Sequence, residues 1–159
     1  MCAMKVRPFA DHDVAAIHAI QRLCPQAAQW REEDYLQLAH DSAGTILVAE
    51  IEAANRPEVA GFVAFHQVMD EAELRNLAVH PSRQRNGMGR ALLEGGIRKL
   101  QKSGARRLFL EVRASNQPAL TFYASAGFKL LHTRRNYYHD PVEDALVMAR
   151  DIPVILPPH

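Results

Sequence analysis

The run Arg83-Gln84-Arg85-Asn86-Gly87-Met88-Gly89-Arg90 sets two glycines and three arginines where a buried strand gives way to a helix. The first turn of a helix carries backbone N–H groups without intrahelical partners, and the helix dipole favours negative charge beyond them. Gly87 and Gly89 remove side chains that would hold a phosphate at a distance. Arg83, Arg85 and Arg90 add positive charge at the same end, which suits a pyrophosphate. Packing relief at a helix start calls for the same glycines, so spacing alone leaves both readings open. A P-loop requires Lys-Ser/Thr after its last glycine, whereas Arg90-Ala91 follows here. The dinucleotide fingerprint needs a third glycine where Leu92 stands. Glu111 is placed like its ribose-binding acid, yet loop 80–86 is too long for its tight turn.

Two further residues could move protons. Glu111 alternates with Leu110 and Val112 at the C-terminal end of a strand, where open sheets place ligands. There it can take a proton directly or through water; facing solvent or pairing with Arg113 is the alternative. Tyr123 lies one helical turn before Gly127, and its hydroxyl is a donor at neutral pH. Its ring equally suits packing beside Phe122, although adjacent helical residues face different ways. The eight histidines are scattered with no i,i+4 pair and no cysteine partner, which argues against a metal site.

The elements that must hold these residues follow from periodicity and punctuation. A short strand at 5–8 runs into Asp11 as an N-cap, then a helix at 14–23 stopped by Cys24-Pro25, and a second helix at 32–40. Trp30, just before it, either packs against that helix or lines a groove. Strands are expected at 45–51, 59–68 and 73–79, joined by short turns at Asn55-Arg56-Pro57 and Met69-Asp70-Glu71, hence antiparallel. Leu92, Leu93, Gly96, Ile97 and Leu100 share one face of a helix at 87–103, closed by Gly104. A strand at 107–112 completes a strand–helix–strand unit long enough for a parallel crossover. A helix at 118–126 and strands at 128–136 and 145–149 finish the pattern. Residues 153–159 form a proline-rich tail of a single domain spanning 1–159.

At 159 residues, 48% hydrophobic and 23% charged, the chain has an ordinary globular composition. A formal net charge of +1 argues against a phosphate-dominated nucleic-acid binder, so an anionic ligand must be held locally. Cys2 and Cys24 show no framework or metal spacing and read as free thiols. No run is apolar enough for a bilayer and residues 1–9 have no signal-peptide core, so no membrane is expected and the cytoplasm is the expected compartment.

Taken together, Gln84-x-x-Gly87-x-Gly89, Leu77-Ala78-Val79, His80-Pro81, Gly87-Met88-Gly89-Arg90-Ala91-Leu92-Leu93, Leu110-Glu111-Val112-Arg113-Ala114-Ser115-Asn116 and Tyr123-x-x-x-Gly127-Phe128 resemble the GNAT acetyltransferase superfamily, RimI-type branch. Arg134-Arg135-Asn136-Tyr137-Tyr138 and Glu143-Asp144-Ala145 extend the resemblance, which covers 70–148 strongly and thins before Val63. It implies an α/β fold of GNAT type: a mixed central sheet of about seven strands, about four helices, and a parallel strand pair at an acetyl-CoA site. It also implies acetyl transfer to a primary amine, in that branch the N-terminal alanine of a small-subunit ribosomal protein.

By position, the resemblance gives Leu77, Ala78 and Val79 to the pantetheine arm through their backbones. Arg85, Asn86, Gly87, Met88, Gly89 and Arg90 would cradle the pyrophosphate, and Asn116 would contact the cosubstrate. Glu111 would be the general base and Tyr123 the general acid, while Trp30, Tyr137 and Tyr138 would flank a peptide N-terminus. The chemistry needs a neutral amine, an oxyanion donor (an N–H near Val79 is a candidate) and a proton for the leaving thiolate. An α-amine, with pKa about 8, is deprotonated at less cost than a lysine at about 10.4. Two positions depart from the branch: Ala28-Gln29-Trp30-Arg31 stands where a Pro-Trp-Ser element is usual, and Arg75 replaces an apolar residue. Transfer to a small amine (amino acid, polyamine or antibiotic) and a non-catalytic acyl-CoA-binding module are the alternatives.

Overall fold

The computed structural model describes residues 3–156, so Cys2 and tail residues 157–159 lie outside the described residues. In chain order the elements are β1 (Met4–Pro8), a 3-10 turn (Asp11–Asp13), α1 (Val14–Arg22), α2 (Glu32–Ala39), β2 (Gly44–Ala53), β3 (Arg56–Val68) and β4 (Glu71–Val79). A second 3-10 turn (Pro81–Arg83), α3 (Met88–Lys102), β5 (Arg107–Arg113), α4 (Gln117–Ser125), β6 (Lys129–Tyr138) and β7 (Glu143–Asp151) follow. The strands form one seven-stranded sheet in the order β1-β2-β3-β4-β5-β7-β6. All neighbours are antiparallel except β4 and β5.

Alternation in the central strands builds a core on each face. Leu47, Val63, Phe65, Leu108 and Leu110 pack under α3 with Leu92, Leu93, Ile97 and Leu100. Val48, Phe62, Ala64 and Ala78 pack on the other face with Ile17, Ile20, Tyr35 and Leu38 of α1 and α2. β2 and β3 are thus covered on both sides, and their near-continuous apolar runs follow from it. Gly96 is where α3 meets the sheet, since a Cβ there would overlap the Phe65 ring.

Two local expectations are corrected. Asp11 is not an N-cap: Ala10 precedes a 3-10 turn and α1 begins at Val14. The buried carboxylate of Asp13 organises this corner instead, accepting from the Ala10 N–H (2.8 Å) and from Arg7 Nη1 (2.8 Å) and Nη2 (2.9 Å). The β2–β3 turn is Ala54-Asn55, with φ of 49° and 65°, while Arg56 and Pro57 already belong to β3. Two successive positive φ angles match the strand twist of a tight hairpin.

Two irregularities in β4 shape the site. Phe65 pairs with Leu74 but Ala64 pairs with Asn76, so Arg75 is an extra residue, a bulge. It reverses the alternation: Ala72 and Leu74 belong to the α3-side core, yet past the bulge Ala78 belongs to the α1/α2-side core. The parallel pairing of β4 with β5 covers only Glu71–Arg107, Ala72–Leu108 and Glu73–Phe109. Past those pairs the strands splay, although they continue to Val79 and Arg113.

Candidate active site

The free edge of β4 inside the splay offers a short set of backbone groups. His80 N–H donates to Ala60 C=O (2.8 Å), which makes that couple a hydrogen-bonded pair of the β3–β4 ladder. In antiparallel register the next such pair is Phe62–Ala78, and the backbone groups of Leu77 and Val79 turn away, toward β5. Leu77 N–H already donates to Asn76 Oδ1 (3.1 Å). Val79 C=O accepts from Gln84 Nε2 (3.0 Å) and Cys24 Sγ (3.3 Å). That leaves Leu77 C=O and Val79 N–H, one acceptor and one donor, spaced to pair with an amide-bearing arm. The backbone of Ala78, expected to share in this, is used by the ladder.

Through its bond to Val79 C=O, the Gln84 side chain folds the phosphate loop back onto the end of β4. The loop then passes through Arg85 at φ 66° and Gly87 at φ 79°, and Gly87 is the N-cap of α3. The first intrahelical bond is Ala91 N–H to Gly87 C=O (3.0 Å), so the amides of Met88, Gly89 and Arg90 point out of the helix start. A Cβ on Gly87 would meet nothing, so glycine is needed there for its left-handed backbone. Gly89 lies beside Phe122 and Val79, at 3.6 Å and 3.9 Å from a Cβ built on it. Met88 buries its side chain in the core and can offer only its backbone. The Arg90 guanidinium is turned toward Glu94 (3.4 Å) and Ser125 C=O (3.4 Å), tying α3 to the end of α4.

Glu111 is half-buried on β5, one residue beyond Leu110 and on the opposite face of the sheet from it. Arg134 Nε approaches its carboxylate at 3.5 Å. The Tyr137 phenol faces the same carboxylate, and hydrogen bonding to it, with its charge, pushes the phenol above the ordinary range. Burial does the same for Tyr138, whose ring lies under Arg113 at 4.1 Å. A bulge brings this group together. Arg134 pairs with Ala145 and Tyr138 with Glu143, so residues 135–137 bow outward from β6. Asn136, at φ 52°, makes the bend and its N–H donates to Asp144 Oδ1 (2.9 Å).

The neighbouring Glu143 accepts from Ser115 N–H (2.5 Å) and Arg113 Nη1 (3.3 Å). The three short strings around Asn116, Asn136 and Glu143 therefore interlock at the mouth of the splay. Asn116 itself caps α4 by accepting from Ala119 N–H at its Oδ1 (3.2 Å). The ring of Tyr123 packs against Phe122 (5.1 Å) and Phe128 (5.5 Å). Its hydroxyl makes no hydrogen bond to a described residue, and burial alone pushes its pKa up, so it is held as a neutral donor. Among the described residues, no group of three or more His, Cys, Asp or Glu is placed to hold a metal ion.

Trp30 rests against Tyr35 (4.9 Å) and also lines an open groove of about 410 Å³ with Asp34, Gln37, Leu38, Asp41, His66 and Arg75. It both packs and borders a groove, as the two sequence readings had it separately. Arg75, the bulge residue, is exposed and its nearest carboxylate is Glu73, at 3.7 Å.

Residues 14–128 match the acetyltransferase (GNAT) family. The chain belongs to the GNAT acetyltransferase family. It is 42% identical over 140 residues to the [ribosomal protein bS18]-alanine N-acetyltransferase of Escherichia coli (strain K12), covering 87% of this chain and 90% of that one. The crystal structure of the ribosomal-protein-S18-alanine N-acetyltransferase from Escherichia coli superposes with a TM-score of 0.82 and 35% identity over 97% of both chains. Ard1 from Thermoplasma volcanium gives 0.82 at 25% identity, over 95% of this chain and 99% of that one. This GNAT protein is an acetyl-CoA-dependent N-acetyltransferase. The splay, the outward amides of α3 and the two open backbone groups of β4 fit a cosubstrate with a pyrophosphate and an amide-bearing arm.

The sequence reading missed Asn76 and the anchoring role of Gln84. The glutamine was visible as the first residue of its motif, but Asn76 is one more polar residue in a strand that also carries Glu73 and Arg75, and nothing in its type marks it.

Proposed function

We propose that the protein acetylates the N-terminal α-amino group of a protein chain, with ribosomal protein bS18 beginning with alanine as the acceptor. The observation that carries this reading is the similarity to the Escherichia coli bS18-alanine enzyme over 87% of the chain. The Arg134–Tyr138 string at Glu111 lies within that span and adds support from geometry, because it frames the base on an open face rather than in a closed pocket.

Acetyl-CoA supplies the activated acetyl group as a thioester. Outward amides of α3, with Arg85 nearby, hold the pyrophosphate. Leu77 C=O and Val79 N–H hold the pantetheine arm in the splay and aim it. Glu111 takes the proton from the acceptor amine, directly or through one water, while Tyr137 and Arg134 fix its carboxylate. The neutral Tyr123 hydroxyl donates its proton to the departing sulfur. Trp30 and Tyr138 flank the acceptor chain. The cytoplasm is the proposed compartment, consistent with the free thiol at Cys24.

The test is a panel of peptides that differ in their first residues, with free lysine and spermidine alongside, the acetyl group being located by mass spectrometry. Transfer to the α-amine of a bS18-derived peptide is expected. Transfer confined to the small amines would overturn the reading.

A further inference from the structure

Asn76 sits buried on β4 directly after the bulge, with no part in the chemistry above. A carboxamide has two donor hydrogens and an oxygen with two lone pairs. All four are used. Nδ2 donates to Ala28 C=O (2.9 Å) and to the Tyr35 hydroxyl (2.9 Å), and Oδ1 accepts from Ala28 N–H (3.1 Å) and Leu77 N–H (3.1 Å). The Tyr35 hydroxyl donates onward to Gln21 Oε1, and Gln21 Nε2 donates to Trp30 C=O (2.8 Å). Cys24 Sγ donates to Val79 C=O (3.3 Å).

Segment 24–31 is thereby fastened at Cys24, Ala28 and Trp30. Two of the groups engaged by these ties, Leu77 N–H and Val79 C=O, belong to the splayed edge of β4 proposed to receive the pantetheine arm. A buried amide is a costly way to fill space, since an apolar pair of the same shape can be as stable. A fully satisfied one specifies a single arrangement of the parts it joins.

We infer that Asn76 is a positioning residue that couples the two substrates: it seats the acceptor-side loop 24–31 on the strand that receives acetyl-CoA, so that occupation of the β4 edge is transmitted to Trp30. This rests on reading Trp30 as acceptor-side. Asn76 touches neither reacting group, and its effect runs through the loop.

Trp30 is the only tryptophan in the chain, so its emission reports this loop alone. Acetyl-CoA is titrated into the full-length protein while emission and heat of binding are followed together. In the wild type the emission change tracks calorimetric saturation. In Asn76→Ala and in Ala28→Pro, acetyl-CoA affinity stays within about threefold but the emission change is lost. The acceptor peptide KM rises at least tenfold in both variants, with the acetyl-CoA KM within about threefold. Ala28 is an exposed loop residue, so its proline variant deletes one donor to Asn76 without entering the core, and it decides the matter if Asn76→Ala does not fold. A wild-type Trp30 silent at saturation, a variant that keeps the full response, or acetyl-CoA affinity falling in step with the acceptor KM would each overturn the inference. Acetyl-CoA is the only probe in the emission arm, so a wrong acceptor leaves that arm decisive.

Discussion

The Tyr123 ring is packed between Phe122 and Phe128, while its hydroxyl carries no hydrogen bond to a described residue. Removing that hydroxyl leaves no polar group unsatisfied, so Tyr123→Phe is expected to unfold within about 0.5 kcal/mol of wild type. Its kcat should fall about 100-fold, the scale of a lost general acid. Thermal melts beside steady-state rates separate the two. Glu111→Gln should cost about 10²–10⁴ in kcat with acetyl-CoA affinity unchanged, read by single-turnover kinetics and calorimetry. Tyr137→Phe should cost about tenfold, since it loosens the carboxylate without deleting it, and an effect confined to the acceptor KM would return Tyr137 to the role of a wall. The place of Glu111 was legible, since its alternation with Leu110 and Val112 sets it on the other face at the end of β5. Tyr137 was legible only as one of a pair of aromatics. Its approach to Glu111 depends on a bow in β6 that one asparagine in the left-handed region creates, and alternation of side chains cannot report a bow.

Helix α3 was plain from sequence, because its apolar face and both glycine boundaries agree. Its seating was not. A Cβ on Gly96 would collide with the Phe65 ring, and neither helix nor strand can withdraw without opening the core. Gly96→Ala is therefore expected to destabilise by about 1–3 kcal/mol, seen as a lower denaturant midpoint with an unchanged slope. Gly87→Ala meets no atom, but its φ of 79° costs an alanine about 1–2 kcal/mol and should loosen acetyl-CoA binding by tilting the outward amides. The bulge at Arg75 left no trace in the sequence. Residues 73–79 read as one unbroken strand, since a single inserted residue only swaps which side chains face which core. The splay was equally hidden, as β4 and β5 each look long enough to pair throughout.

For the molecule as a whole, acid is the informative stress. Burial raises the Asp13 carboxyl, but the Arg7 guanidinium and the Ala10 amide outweigh it and hold it below the ordinary carboxylate range. A depressed folded-state pKa contributes stability above the unfolded value of about 3.9 and loses it as pH falls through the folded value. Asp13→Asn should therefore lower Tm at neutral pH and flatten the Tm–pH curve below about pH 4, relative to wild type. The splay carries a different consequence. The sheet is two blades, β1–β4 and β5–β7–β6, hinged at three parallel residue pairs. A pantetheine chain lying between them would bridge both edges as a strut, and its binding energy would become cohesive energy of the protein by mass action. Saturating acetyl-CoA should slow amide exchange at Val79 and along the facing edge of β5 well beyond the contact itself, and the donor substrate would then serve, while bound, as the strand the sheet was built to accommodate.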